Sequence, residues 1–527
     1  MTSDEAERYD VVVIGGGHNG LTAAAYLARA GLDVLVLERL AHLGGAATSS
    51  PAFPGMPARF SRFADLVSGL PDRIAADLEL DLELRSRATA SYVPTIREGK
   101  PTALVVEARP GARTATSFKA LTGSDLEFDA WEEFYGETSA FSEALAPTLL
   151  EPLRTAKEMR DLVDPATWAA LVEEPLGVVL EDRFHDDAVR GLIASEAVRG
   201  TFADLHDPSL AQNRGYLHHL LGNGSGEWRV PIGGMGAVTS ALSVAARNAG
   251  ATFLTGAGVS GIESDGKSAR VTWHDGDGWK SIECDWVLSN VAPWVLQVLL
   301  GDEPADRPEG SQIKVNMLLE GLPRLRSGAT AAEAFSGTMH VAEGYQEINA
   351  AFADAMAGRL PTVQPGELIC HSLTDPSILG PLAVKGLHAL TYFGVHTPAR
   401  LFEGDVEGQR DIAVARFLDA INVYLDEPLE ALLAIDSHGR PCLEAMAPQD
   451  LDQALAMPGG HIFHGDLSWP WAANRGRLET AAQRWGVSTD KDNVLLCGAG
   501  ARRGGGITGV GGHNAAHAIL ETRSSPA

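Results

Sequence analysis

Cysteine is scarce in this chain of 527 residues: Cys284, Cys370, Cys442 and Cys497 are scattered, and no CxxC pair occurs. That excludes a disulfide framework, a thiolate zinc site and a vicinal redox pair, so any redox work falls to a cofactor. Long apolar runs are also missing. No 18-residue uncharged apolar stretch is found, and Met1 to Asp10 carries four acids, so neither a membrane span nor a secretory signal is expected. Positive charge is in short supply, with 42 Lys and Arg against 69 Asp and Glu, a formal charge of −27. Such a balance repels nucleic acid and anionic membrane surfaces; with neither a membrane span nor a secretory signal expected, the cytoplasm is the default location. There is no internal repeat and no low-complexity block. Neither a GxSxG elbow nor an HExxH helix occurs, so Asp375, Ser377, His388 and His396 read as turn and sheet residues, not as a triad or metal site.

Glycine, by contrast, is abundant and placed with meaning. Gly15, Gly17 and Gly20 follow a buried-looking run, Tyr9 to Ile14, and open a small-residue helix that ends at Gly31. This is the grammar of a dinucleotide-binding βαβ unit: one glycine for the tight turn, one for close approach of backbone to the pyrophosphate, one for helix–strand packing. The helix N-terminus points N–H groups and a positive dipole at the anion. A second strand, Asp33 to Leu37, ends in Glu38, where a carboxylate suits both ribose hydroxyls and repels a 2′-phosphate.

The chain is too long for one core, so two domains are expected. Residues 125–221 read as a helical lobe, with apolar positions at three and four spacing such as Trp131, Phe134 and Tyr135. Nucleotide-domain grammar then returns: the turn Gly233 to Gly236, a helix from Ala237 to Ala249, the strand Thr252 to Thr255, and paired strands Val259 to Ser264 and Ala269 to His274. The last residues repeat the theme with the strand Asn493 to Cys497, a glycine-rich loop from Gly498 to Gly506 and a helix from about Ile507 to Glu521. A second dinucleotide site at Gly233 to Gly236 is disfavoured, because Pro231 suits a central strand poorly and no ribose-binding acid follows Thr255-Gly256.

Taken together, Gly15, Gly17 and Gly20, Glu38-Arg39, Gly44-Gly45-Ala46-Ala47, Val230 to Met235, Cys497 to Gly500 and Gly504 to Gly506 resemble the FAD-dependent phytoene desaturase and amine oxidase superfamily. Within it the chain is most similar to the phytoene dehydrogenase-related branch. The resemblance implies an α/β fold in which a Rossmann-type FAD-binding domain, of three-layer ββα form, is interleaved with a mixed-sheet and helical substrate domain. Residues 1–75, 225–305 and 485–527 would form the first and residues 76–224 and 306–484 the second. It further implies that Gly15, Gly17, Asn19 and Gly20 hold the FAD pyrophosphate and Glu38 the adenosine ribose. Arg39, Gly44, Gly45, Ala46 and Ala47 would line the pyrophosphate and ribityl side, and Val259 would touch the adenine. Gly498, Ala499, Gly505, Gly506 and Ile507 would reach the ribityl chain and the pyrimidine edge of the flavin. A helix starting near Ile507 would there stabilise reduced flavin by about 0.3–1 kcal/mol. No cysteine stands at a flavin attachment point, so FAD is expected to bind noncovalently.

The implied activity is hydride removal from a mainly apolar small molecule to form a C=C bond, with oxygen or a quinone as electron acceptor. Amine oxidase-type C–N oxidation, flavin-dependent isomerisation and a non-catalytic flavin-bound scaffold remain as alternatives, and a homodimer is left open. His464, in the strand-like segment Gly460 to Asp466, matches a histidine of the branch. Its roles are general base near the flavin or hydrogen-bonding partner of flavin or backbone. Two departures from the branch pattern fall nearby: Arg502-Arg503 before the triple glycine, and Trp469 and Trp471 after the His-Gly segment. Arg502 is a candidate for phosphate, substrate or local carboxylates, or for plain solvation. The two tryptophans are candidates for an aromatic substrate wall or for core packing.

Overall fold

The computed structural model describes residues 8–67, 69–222 and 227–524. Most of the acidic opening segment lies outside them. β1, Arg8–Ile14, buries Val11, Val12, Val13 and Ile14, which is what a strand covered on both faces requires. α1, His18–Arg29, and β2, Val34–Glu38, complete the first βαβ unit, with β2 parallel to β1. β2 ends at Glu38, as expected.

On one side of β1 and β2 lies the parallel strand Thr252–Thr255, and on the other the long strand Trp279–Ser289. The latter strand changes partners along its length. Its first half pairs antiparallel with Ala269–His274, which in turn pairs with Gly258–Ser264. Its second half pairs in parallel with β1 and with Val494–Leu496. Strands from the start, middle and end of the chain therefore share one sheet. Its helical cover is α1, flanked by Met235–Asn248 and the C-terminal helix Val510–Ser524. The small residues Ala23, Ala24 and Ala25 let α1 lie close, and at Gly512 a Cβ would stand 2.0 Å from Asn19 O, so only glycine permits this crossing.

The second sheet is largely antiparallel and has strand order Leu443–Met446, Ile313–Leu319, His388–Gly394, Gly366–Cys370, Thr338–Val341, Thr89–Arg97, Lys100–Glu107. The helices Leu126–Leu145, Leu176–Arg183, Asp187–Val198 and Ala211–Leu221 form a lobe beside it, packed around Trp131, Phe134, Phe141 and Trp168. Among the described residues no helix is long and apolar enough to cross a membrane.

Candidate functional site

The turn between β1 and α1 is built by sterics. Gly15 adopts φ +98°, and its N–H donates to Leu37 O at 2.8 Å. A Cβ on Gly20 would lie 2.3 Å from Gly15 O, so α1 can begin against the turn only with glycine there. The free N–H groups of the first turn of α1 then form an anion site. Glu38 is almost wholly buried: Oε2 accepts from Gly16 N–H and Oε1 from Leu40 N–H, both at 2.8 Å. Each oxygen retains a lone pair for a ribose hydroxyl.

A single cavity of about 330 Å³ is lined by Gly15, Gly17, Glu38, Arg39 and Val259, by Gly45 and Ala46, and by Ala499, Gly506 and Ile507. Segments almost 500 residues apart in sequence therefore meet around one space. The other motif residues pack behind its wall. Asn19 is fully buried and donates from Nδ2 to Gly504 O at 3.2 Å, tying the first turn to the C-terminal loop. Gly44 N–H donates to Gly16 O at 2.8 Å, Ala47 O accepts from Thr239 Oγ1 at 2.7 Å, and Gly498 lies against Asn290, whose O would sit 2.7 Å from an added Cβ. Gly505 presses against His218 and Leu467.

Several expectations are corrected. The C-terminal helix starts at Val510, whose N–H is capped by Thr508 Oγ1 at 3.2 Å, so its positive end lies three residues beyond Ile507. Gly460 to Asp466 is no strand. The chain reverses there, His464 N–H donating to His461 O at 2.9 Å with His464 at φ +65°. Alternation fails in such a turn, and Ile462, Phe463 and His464 all line the cavity. Trp469 and Trp471 do not. They stack on each other at 5.1 Å, and Trp471 packs on Trp168 in the lobe core, where apolar neighbours compete better than a wet cavity does. Arg502 donates to Trp471 O at 2.9 Å. Arg503 serves the carbonyls of Thr148, Glu151 and Trp485. Both guanidiniums satisfy irregular backbone that would otherwise be buried without donors.

The cavity also contains residues with no motif behind them. Asn290 Nδ2 donates to Gly15 O at 2.9 Å, fixing the glycine turn from the carboxyl end of a parallel strand, a place that topology alone marks for ligand contact. Phe63, Trp228 and Phe393 supply apolar walls. Arg199 pairs with Asp65 (Nη2 to Oδ2, 2.7 Å) and with Glu367, all three buried, and lies 4.2 Å from the Trp228 ring centroid. Burial alone would lower the Arg199 pKa, but Glu367 and Asp65 outweigh it and raise it. Lys314, buried beneath this wall, donates to Ser61 O at 2.6 Å and Ala64 O at 2.7 Å, holding the Phe63–Asp65 segment in place. Burial pushes its pKa down to about 7.

Two buried imidazole nitrogens, His18 Nε2 and His464 Nδ1, and both side-chain polar atoms of Gln312 have no partner within the protein, and all three residues line the cavity. Unsatisfied groups of this kind, next to the glycine turn and the buried Glu38 carboxylate, suit a bound dinucleotide with a polar ring. Burial lowers His18 and His464 to about 4, His464 further because of His461 and His18, and burial lowers His218 to about 4 as well. These histidines are neutral when folded and take up protons on unfolding. Stability is therefore expected to fall as pH drops from about 6.5 to about 4, and to show no further contribution from these groups below that. Denaturant midpoints measured across this window check it.

The NAD(P)-binding Rossmann-like domain family matches residues 13–72. An uncharacterized protein of Mycobacterium tuberculosis is 46 % identical over 99 % of both chains. Pyridine nucleotide-disulfide oxidoreductase domain-containing protein 2 of Mus musculus is 30 % identical over 97 % of this chain and 93 % of that one. The chain belongs to that family. Its cofactor is FAD. In fold it resembles cyclohexylamine oxidase from Brevibacterium oxydans, with a TM-score of 0.55 at 16 % identity, covering 98 % of this chain and 100 % of that one. Despite the disulfide in the relative's name, all four cysteines here are free and buried, and none lines the cavity. As a member of this family the chain is an FAD-type oxidoreductase.

Proposed function

We propose that this oxidoreductase acts in the cytoplasm on a mainly apolar small molecule, removing a hydride to leave a C=C bond and passing the electrons to oxygen or a quinone. FAD, when bound, supplies the hydride acceptor. The observation that carries the reading is the composition of the cavity wall, where Phe63, Trp228, Phe393, Ile462 and Phe463 present apolar surface and the charges beside them, Arg199 and Asp65, are paired with each other. Such walls exclude water and orient a C–H bond, and orientation is a large share of the rate in hydride transfer. A protonated amine would find no free carboxylate in this wall, because Asp65 and Glu367 are both held by Arg199, which disfavours C–N oxidation.

In this reading Gly15, Gly17, Asn19 and Gly20 organise the pyrophosphate turn and Glu38 holds the ribose. Arg39, Gly44, Gly45, Ala46, Ala47 and Val259 shape the adenosine side, and Gly498, Ala499, Gly505, Gly506 and Ile507 shape the flavin side. His464 Nδ1 is buried, unpartnered and in the cavity wall, and in this reading it accepts the proton released with the hydride. His464→Ala is expected to slow anaerobic flavin reduction by about 100-fold; an unchanged rate removes His464 from that role.

Anaerobic mixing of the yellow protein with polyene-precursor, amine and amino acid panels tests the whole reading. Bleaching is expected with the apolar panel. Bleaching by amines alone would make it an amine oxidase, turnover without net electron uptake an isomerase, and no bleaching by any panel a scaffold.

A further inference from the structure

Beyond the wall formed by Trp228 and His219 lies a second chamber of about 220 Å³, which shares those two residues with the first cavity. Its character is different. Arg87 lines it, about nine-tenths buried, with one hydrogen bond from Nη1 to Thr338 Oγ1 at 3.0 Å and with Nε unpartnered. Among the described residues Arg87 has no carboxylate within ion-pair distance. The nearby acids are otherwise engaged: Asp65 and Glu367 are both held by Arg199, and Glu343 Oε2 meets His340 Nδ1 at 2.7 Å. Glu196 lines the chamber with Oε2 unpartnered. Burial, then Glu367, pushes its pKa up to about 7, so its carboxyl is protonated and a donor below neutral pH. Tyr135, Ser139 and Ser91 line the same space. Glu107, whose Oε2 accepts from Thr114 Oγ1 at 3.1 Å, and Glu227 also line the chamber, yet among the described residues no carboxylate touches Arg87, and a buried guanidinium with an unpartnered Nε costs free energy unless a ligand completes its hydrogen bonds.

We propose that this chamber receives a carboxylate carried at the end of the apolar substrate, with Arg87 as its partner. The inference rests on the redox reading above for what occupies the first cavity, and it makes Arg87 a specificity-determining residue. A planar guanidinium fork matches a carboxylate through two parallel hydrogen bonds, which neither an amide nor an ester reproduces.

Titration calorimetry on the flavin-loaded protein with decanoate and with decanamide reads binding apart from turnover. Decanoate is expected to bind roughly tenfold or more tightly than decanamide. Arg87→Met should remove that preference while leaving decanamide affinity and flavin content unchanged. Arg87→Lys, which keeps the charge but not the fork, should weaken decanoate severalfold. Equal affinities in the unaltered protein, a decanoate preference that survives Arg87→Met, or undiminished decanoate binding in Arg87→Lys would each overturn the proposal. A flavin that no substrate bleaches would instead sink the redox reading, and the decanoate–decanamide difference separates the two failures.

Discussion

Glu38→Ala is expected to yield a colourless protein. The carboxylate has two functions at once. It accepts from Gly16 N–H and Leu40 N–H, which sets the chain direction on both sides of the nucleotide turn, and its remaining lone pairs face the cavity. Hydrogen bonds to a charged acceptor contribute about 1.5–3 kcal/mol each, and truncation leaves two backbone donors buried without partners. Losing the ribose contact and the turn geometry together should weaken FAD by about 100-fold or more, equivalent to about 2.7 kcal/mol. Glu38→Gln keeps one acceptor oxygen and should fall between. Flavin absorbance against protein absorbance after exhaustive dialysis measures this directly, and an alanine variant that stays stoichiometrically yellow would remove Glu38 from the site.

Arg199→Met should be the most destabilising substitution in the cavity wall. Asp65 comes from the segment under the nucleotide sheet, Arg199 from the end of a lobe helix and Glu367 from the second sheet, so this one guanidinium joins three parts of the molecule. Its removal leaves two carboxylates buried without a cation, which typically costs about 3–5 kcal/mol. Combining it with Asp65→Asn and Glu367→Gln should recover most of the loss, because the cost lies in the stranded charges rather than in the missing pairs. Urea unfolding of the single and triple variants tests both statements. A single variant within about 1 kcal/mol of the parent would show that water or another cation already serves those acids.

The nucleotide half was legible because its geometry is dictated locally. A turn that needs positive φ at Gly15, a helix that needs no Cβ at Gly20 and an acid at the end of the next strand leave a pattern in neighbouring residues. The reaction end left no such pattern. Phe63, Arg199, Trp228, Gln312 and Phe393 come from five separate stretches, each ordinary on its own. Near the C-terminus local reasoning also misled. The Gly460 to Asp466 segment alternates like a strand, yet it folds as a turn, because His464 N–H bonds back to His461 O and packing of Ile462, Phe463 and His464 on the cavity outweighs the two-residue period. Arg502 and Trp471, each suggestive near a flavin motif, satisfy one another's neighbourhood instead, side-chain donor to backbone carbonyl.

From sequence alone followed the glycine turn, the acid that ends the second strand and the return of strand and glycine loop at the far end of the chain, since each depends on residues close together. Tertiary structure alone decided which residues wall the cavity, that its histidines are neutral, and that a buried Arg87 stands out of ion-pair contact in a neighbouring chamber. Burial and charge pairing are properties of what is adjacent in space, and in this fold the adjacent residues lie as far apart along the chain as Gly15 and Ile507.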